Sequence, residues 1–227
     1  MSKRLSKEEL ESDPLIENFN RLNAFYNENK TTVIATLVAF VVIVGGFFGW
    51  QAYSSSQETQ AQEYLAIAEN YYTNAEYENA LYGDDAALTY GFDQIADEFP
   101  MTKAGNMANY YAAVSSFELG DVETALTYIE EFEIPEGILG VGPLTFHGKL
   151  LLANGSYEAA AQKFLEAAEW SENNVTTPSN LFEASQAYYE AGNFEKAGQL
   201  ADQIIEEYPE SSQFVKAQKM KGMLAAN

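Results

Sequence analysis

One phrase recurs along this chain, and its spacing restricts the fold more than any other feature. Gly120-Asp-Val-Glu-Thr-Ala125, Gly155-Ser-Tyr-Glu-Ala-Ala160 and Gly192-Asn-Phe-Glu-Lys-Ala197 share one pattern, with their glycines 35 and 37 residues apart. A degenerate copy, Ala75-Glu-Tyr-Glu-Asn-Ala80, begins 45 residues before Gly120. Pro100 and Pro135 are also 35 apart, and Pro209 follows 74 later. The third residues of the four phrases are Tyr77, Val122, Tyr157 and Phe194. Nine positions earlier stand Ala68, Ala113, Gly148 and Ser185; three positions later stand Ala80, Ala125, Ala160 and Ala197. Two small residues on either side of a tight turn let two antiparallel helices approach closely. The aromatic or aliphatic residue after the turn fills the space beside them.

A period near 34 residues with this pattern is that of tetratricopeptide (TPR) repeats. The expected fold is all-α: an N-terminal single transmembrane helix, a right-handed TPR-like α-solenoid of about four helix pairs, and a C-terminal capping helix. The pairs are expected near 60–103 (with YGDDAALT inserted around Gly83), 104–138, 139–176 and 177–210. Residues 211–225 read as the polar-faced cap that closes a solenoid. Strand signals are essentially absent.

From Val33 to Tyr53 the chain runs 21 residues without a charge, about 30 Å as a helix and so the thickness of a bilayer core. Trp50 and Tyr53 stand at one end, where amphipathic rings favour the interface. A cleavable signal peptide has a shorter apolar core after a short basic start. Here 30 residues precede the stretch, so an uncleaved anchor is expected. Arg21 and Lys30 lie just before it, and residues 54–102 contain no basic side chain. That asymmetry keeps the N-terminus cytoplasmic and sends the remainder across. With a bacterial source, this means the inner membrane and the periplasm. The expected domains are a cytoplasmic segment (1–30), a transmembrane helix (31–53), a linker or helix extension (54–61) and a periplasmic TPR-like domain (62–227). Within the first, Asp13-Pro14 offers an N-cap and a first helical proline. Leu15, Phe19, Leu22 and Tyr26 then form one apolar stripe, which fits either a helix lying on the bilayer or one that docks onto a partner.

The 227 residues carry a net charge of −22, and after residue 30 only seven lysines and no arginine remain. Such a surface repels phosphate, so nucleic acid is not an expected partner. The acidity reads either as a solvated surface or as a means of recruiting basic clients. There is no cysteine, which removes disulfides and thiol chemistry.

Several stretches go beyond a generic repeat. GDDAALTYGF (83–92), TKAGNMANYYAAVSSFELGD (102–121), NNVTTPSNLFEASQAYYEAGNFEKA (173–197) and the lead-in DPLIENFNRLNAFYNENK (13–30) resemble a membrane-anchored TPR family of the Bacteroidota type. The architecture is also similar to the ancillary subunit family of the SecYEG translocon, with one N-terminal anchor and a periplasmic TPR domain. That resemblance implies protein partners, SecYEG and translocating or unfolded polypeptides among them, with no small-molecule substrate. Comparison with TPR proteins puts two rows on the concave face: Leu65, Tyr110, Thr145 and Phe182, then Tyr72, Phe117, Leu152 and Tyr189. Tyr72, Tyr110, Phe117, Phe182 and Tyr189 are the candidate partner-binding residues, since aromatic rings are common anchors at interfaces. Packing between neighbouring repeats is the competing role for the same rings. An apolar groove with an acidic rim would suit unfolded segments that carry basic residues.

No catalytic constellation is legible, and neither a cofactor nor enzymatic activity is expected. His147, the single histidine, lies beside Gly148 and reads as a packing or rim residue. Asp84-Asp85 beside Gly83 does not follow an EF-hand spacing and reads as a turn. Asn154-Gly-Ser and Asn174-Val-Thr match glycosylation sequons and read as turn residues as well.

Overall fold

The computed structural model describes residues 14–225, and every regular element among them is helical. The chain divides into two compact units, Met1–Ser56 and Gln57–Asn227. In the first unit, helix α1 (Pro14–Glu28) is followed by a bend at Asn29 and by the start of α2 (Lys30–Thr73). The expected Asp13 cap and the side chain of Leu15 lie outside what is described. Residues 54–61 are helical, part of α2.

The second unit is a succession of helix pairs. The end of α2 pairs with a broken partner, α3 (Tyr77–Tyr82) and α4 (Phe92–Glu98). Then come α5 (Lys103–Glu118) with α6 (Val122–Glu131), and α7 (Val141–Ala153) with α8 (Tyr157–Trp170). A short 3-10 turn, Gly137–Gly140, leads into α7. The last pair is α9 (Thr176–Glu190) with α10 (Phe194–Glu207), and α11 (Phe214–Leu224) caps the array.

The recurring phrases form recurring turns. At each, two backbone bonds close a Schellman motif. Gly120 N–H donates to Phe117 O and Asp121 N–H to Ser116 O, both at 2.9 Å. The same pair of bonds recurs at Gly155–Ser156, Gly192–Asn193 and Ala75–Glu76. The motif requires a left-handed residue, and φ is 86° at Gly120, 75° at Gly155 and 77° at Gly192. At the degenerate copy Ala75 takes φ 60°, where its Cβ crowds the backbone. Ala75→Gly is therefore expected to raise stability by about 0.5–1 kcal/mol, read as a higher urea midpoint at unchanged slope. Asp121 and Asn193 then cap the following helices, accepting from Thr124 N–H at 3.0 Å and Lys196 N–H at 3.2 Å.

The small residues read from the sequence sit at the helix contacts. Ala68, Ala113 and Ser185 are 0% exposed, as are Ala80, Ala125, Ala160 and Ala197. Ser185 Oγ also donates to Ala197 O at 2.8 Å, tying the last pair together. Gly148 lies against the ring of Phe164, itself fully buried. Bonds at one repeat spacing join successive pairs: Thr145 Oγ1 lies 2.8 Å from Asn180 Oδ1, and Trp170 Nε1–H donates to Pro135 O at 3.1 Å.

The insertion breaks the second helix of the first pair and then restores it. Asp84 Oδ1 accepts from Ala86 N–H and Ala87 N–H, and Asp84 N–H donates to Thr89 Oγ1. The carboxylate is thus occupied by the turn it closes, as the Gly-Asp-Asp reading anticipates. Chain direction is recovered at Gly91, after which Phe92 is fully buried and stacks on Tyr111 at 5.1 Å.

Candidate functional site

The first helices of the pairs carry the aromatic row. Phe146 of α7 lies between two rings of α5, 6.0 Å from Tyr110 and 5.9 Å from Phe117, edge-on to both. Tyr110 also meets Phe132 at 5.3 Å. Tyr72 contacts Tyr77 at 5.8 Å and Tyr111 of the next pair at 5.2 Å, while Tyr189 meets Phe194 at 5.3 Å. Edge-to-face pairs of this kind add about 0.5–1.5 kcal/mol beyond area burial. Tyr72, Phe117 and Tyr189 are therefore half-buried rings that join helices. Phe182 does not face the groove. It is 9% exposed and belongs to a core with Leu181, Ala201, Ile204 and Met220, with Lys216 Nζ 5.5 Å over its ring. Leu65 is buried as well.

A groove of about 550 Å³ does open along the first helices of the second, third and fourth pairs. Its walls are Tyr110 of α5, Val141 and Phe146 of α7, and the loop residues Ile138 and Val175. Ile138 is 55% and Val175 74% exposed, so apolar surface is presented to solvent at the groove's edge. Thr145, Ser179 and Asn180 provide hydroxyl and amide groups within it, with Asn180 Nδ2–H donating to Thr176 O at 3.0 Å. Its charged lining is one cation and one anion, Lys149 and Glu183, rather than the acidic rim expected from composition. Burial pushes the Tyr110 hydroxyl up, so it stays protonated and can donate. Of the five residues proposed from sequence, Tyr110 lines this groove; Ile138 and Val175 were not anticipated, because both precede the helical positions that the repeat pattern marks.

Acidity gathers instead between α4 and α6, in a depression lined by Asp93, Asp97 and Glu131 together with Tyr82 and Tyr128. Burial, then the charge of Asp97, pushes the Asp93 carboxyl up. The Tyr128 hydroxyl is raised by burial and next by Asp93.

His147 is 8% exposed and faces a third cavity beside Lys163 and Glu166, which pair at 2.8 Å. Burial, followed by the Lys163 ammonium, pushes the imidazole below its ordinary range, against a weaker opposite pull from Glu130 and Glu166. A folded value below the unfolded one means the stability it confers is complete above about pH 6.5 and is lost as pH falls through the folded value. Relative to His147→Gln, the wild-type protein should therefore lose stability between about pH 7.5 and pH 5.5, as measured by urea midpoints at both. No group of three or more metal-ligating side chains occurs among the described residues.

Two family models match the chain: a tetratricopeptide repeat-like domain over residues 23–133, and a tetratricopeptide repeat over residues 151–220. Among solved structures, the nearly identical TPR-like repeats of a putative kinesin light chain of Podosopora anserina share the fold. The identity is 13%, with a TM-score of 0.53 over 74% of this chain and 86% of that one. A singly substituted form of the same repeats, also 13% identical, gives 0.52 over 74% of this chain and 94% of that one. No curated protein matches. The chain thus carries TPR-like repeat domains, whose stacked helix pairs serve protein–protein interaction.

Proposed function

We propose that this protein is a membrane-anchored adaptor whose concave groove holds segments of other polypeptides, with the TPR-like unit in the periplasm and the N-terminus in the cytoplasm. The observation that carries the reading is the apolar groove between α5, α7 and α9, with Ile138 and Val175 exposed at its edge. An anchor is supported by α2, which is long and apolar enough to cross a membrane. None of its apolar window is buried, whereas the core helix of a soluble protein would be covered. Arg21 and Lys30 ahead of the window, with no basic residue from 54 to 102, support the direction.

Architecture and resemblance together support the Sec translocon as the complex it serves, as a chaperone-like accessory factor for emerging chains. One observation favours a second reading, a structural scaffold for another cell-envelope assembly complex. The rings of Tyr72, Phe117 and Tyr189 pack between helices, which suits a rigid docking face. Purification of the tagged full-length protein from its native membrane in mild detergent, with mass spectrometry of what accompanies it, separates the two. Translocon subunits with secretory chains in transit support the adaptor reading. A different envelope complex, without translocon subunits, contradicts it and favours the scaffold.

A further inference from the structure

The groove leaves a second apolar surface unexplained, on α1. At 100° per residue, Phe19, Leu22 and Tyr26 fall within about 60° of one another around the helix. Phe19 is 66% and Leu22 69% exposed. Glu17, Arg21 and Glu28 lie on the opposite half, and Arg21 Nη2 pairs with Glu17 Oε1 at 2.7 Å. The charge of α1 therefore sits on one side and Phe19, Leu22 and Tyr26 on the other, with Phe25 at the flank nearer Arg21.

Position in the chain says what covers that face. A single residue, Asn29, separates α1 from the helix that is apolar enough to cross a membrane, and the backbone bends there. Asn29 Nδ2–H donates to Phe25 O at 3.1 Å, beside the Asn29 N–H bond to the same carbonyl at 2.9 Å, and the two bonds close the last turn of α1. A helix tethered this closely to the start of a membrane span is held at the headgroup level. Aromatic rings favour that depth, and Phe19 and Tyr26 provide two on the apolar face.

We infer that α1 is an interfacial helix, with Phe19, Leu22 and Tyr26 sunk between the headgroups and acyl chains of the leaflet from which α2 departs and Glu17, Arg21 and Glu28 turned to water. The inference rests on the anchor reading, and it gives the segment before the span a fixed place on the lipid surface.

The chain contains no cysteine, so single-cysteine variants of the full-length protein report one site each. Phe19→Cys, Leu22→Cys, Glu17→Cys, Ala24→Cys and, within the apolar window, Ile43→Cys would carry a bimane fluorophore. The variants would be reconstituted in phosphatidylcholine–phosphatidylglycerol vesicles whose acyl chains bear bromine, a quencher that acts from both leaflets. The expected result is strong quenching at 43, and quenching at 19 and 22 at least about threefold greater than at 17 and 24. Strong quenching at 43 with no difference between the two faces of α1 would overturn the inference and leave the anchor standing. No quenching at 43 would overturn both.

Discussion

Replacing Phe164 by alanine should lower the unfolding free energy of the TPR-like unit by about 3–5 kcal/mol. The ring is 0% exposed, and its buried neighbours are mainly small: Ala160, Ala161, Ala184, Ala187 and Ala197. Alanines have no side chain long enough to move into the vacated space, so the cavity persists and its full cost is felt. Gly148 shows how closely the ring is seated. A Cβ on that residue would lie 2.7 Å from Phe164 Cε1 and 2.8 Å from Cδ1. Gly148→Ala therefore sets a steric penalty against a helix-propensity gain of about 1 kcal/mol. The gain should emerge once Phe164→Ala has removed the ring, so the two substitutions are expected to be strongly non-additive. Urea titrations of the single and double variants measure this. A loss below about 1 kcal/mol for Phe164→Ala would contradict the packing described.

Gly91→Ala is expected to be nearly as damaging, at about 3 kcal/mol or more, or a melting temperature roughly 6–12 °C lower. Conformation is not the cause, since Gly91 has φ −89°, open to any residue. The obstacle is space: a Cβ there would run into the carbonyl of Leu81 and the backbone nitrogen of Gly83. Backbone on both sides cannot rotate away as a side chain can. The inserted segment between α3 and α4 closes on itself through this approach, and Phe92 depends on it for its buried position. Leu88→Ala, in the same insertion at 88% exposed, should change stability by less than about 0.5 kcal/mol and serves as the control.

The fold is legible in the sequence where its causes are local and repeated. Gly120, Gly155 and Gly192 mark left-handed turn residues, and the small residues twelve apart mark close helix contacts; both signals return every 35 or so residues. Gly91 does not recur, so nothing in the repeat pattern distinguishes it from an ordinary loop glycine. The site is less legible because it depends on what covers each helix. Phe182 occupies a groove position by count, yet α11 brings Lys216 and Met220 onto that side and encloses it. Ile138 and Val175 lie in the turns before α7 and α9, outside the helical register. The signal that could have found them is apolar character in an otherwise polar connection.

Groove occupancy is the centre of the account, and suppression of aggregation tests it most directly. Full-length protein in lipid nanodiscs would be mixed with a chemically unfolded client, alongside an Ile138→Asp, Val175→Asp double variant. Both residues are exposed, so the variant should match the wild type in stability to within about 0.5 kcal/mol. The wild-type protein is expected to keep the client soluble and the variant to do so at least about tenfold less effectively, since charge placed at the groove's edge opposes apolar contact. Equal protection by the two proteins, or none by the wild type, would contradict it.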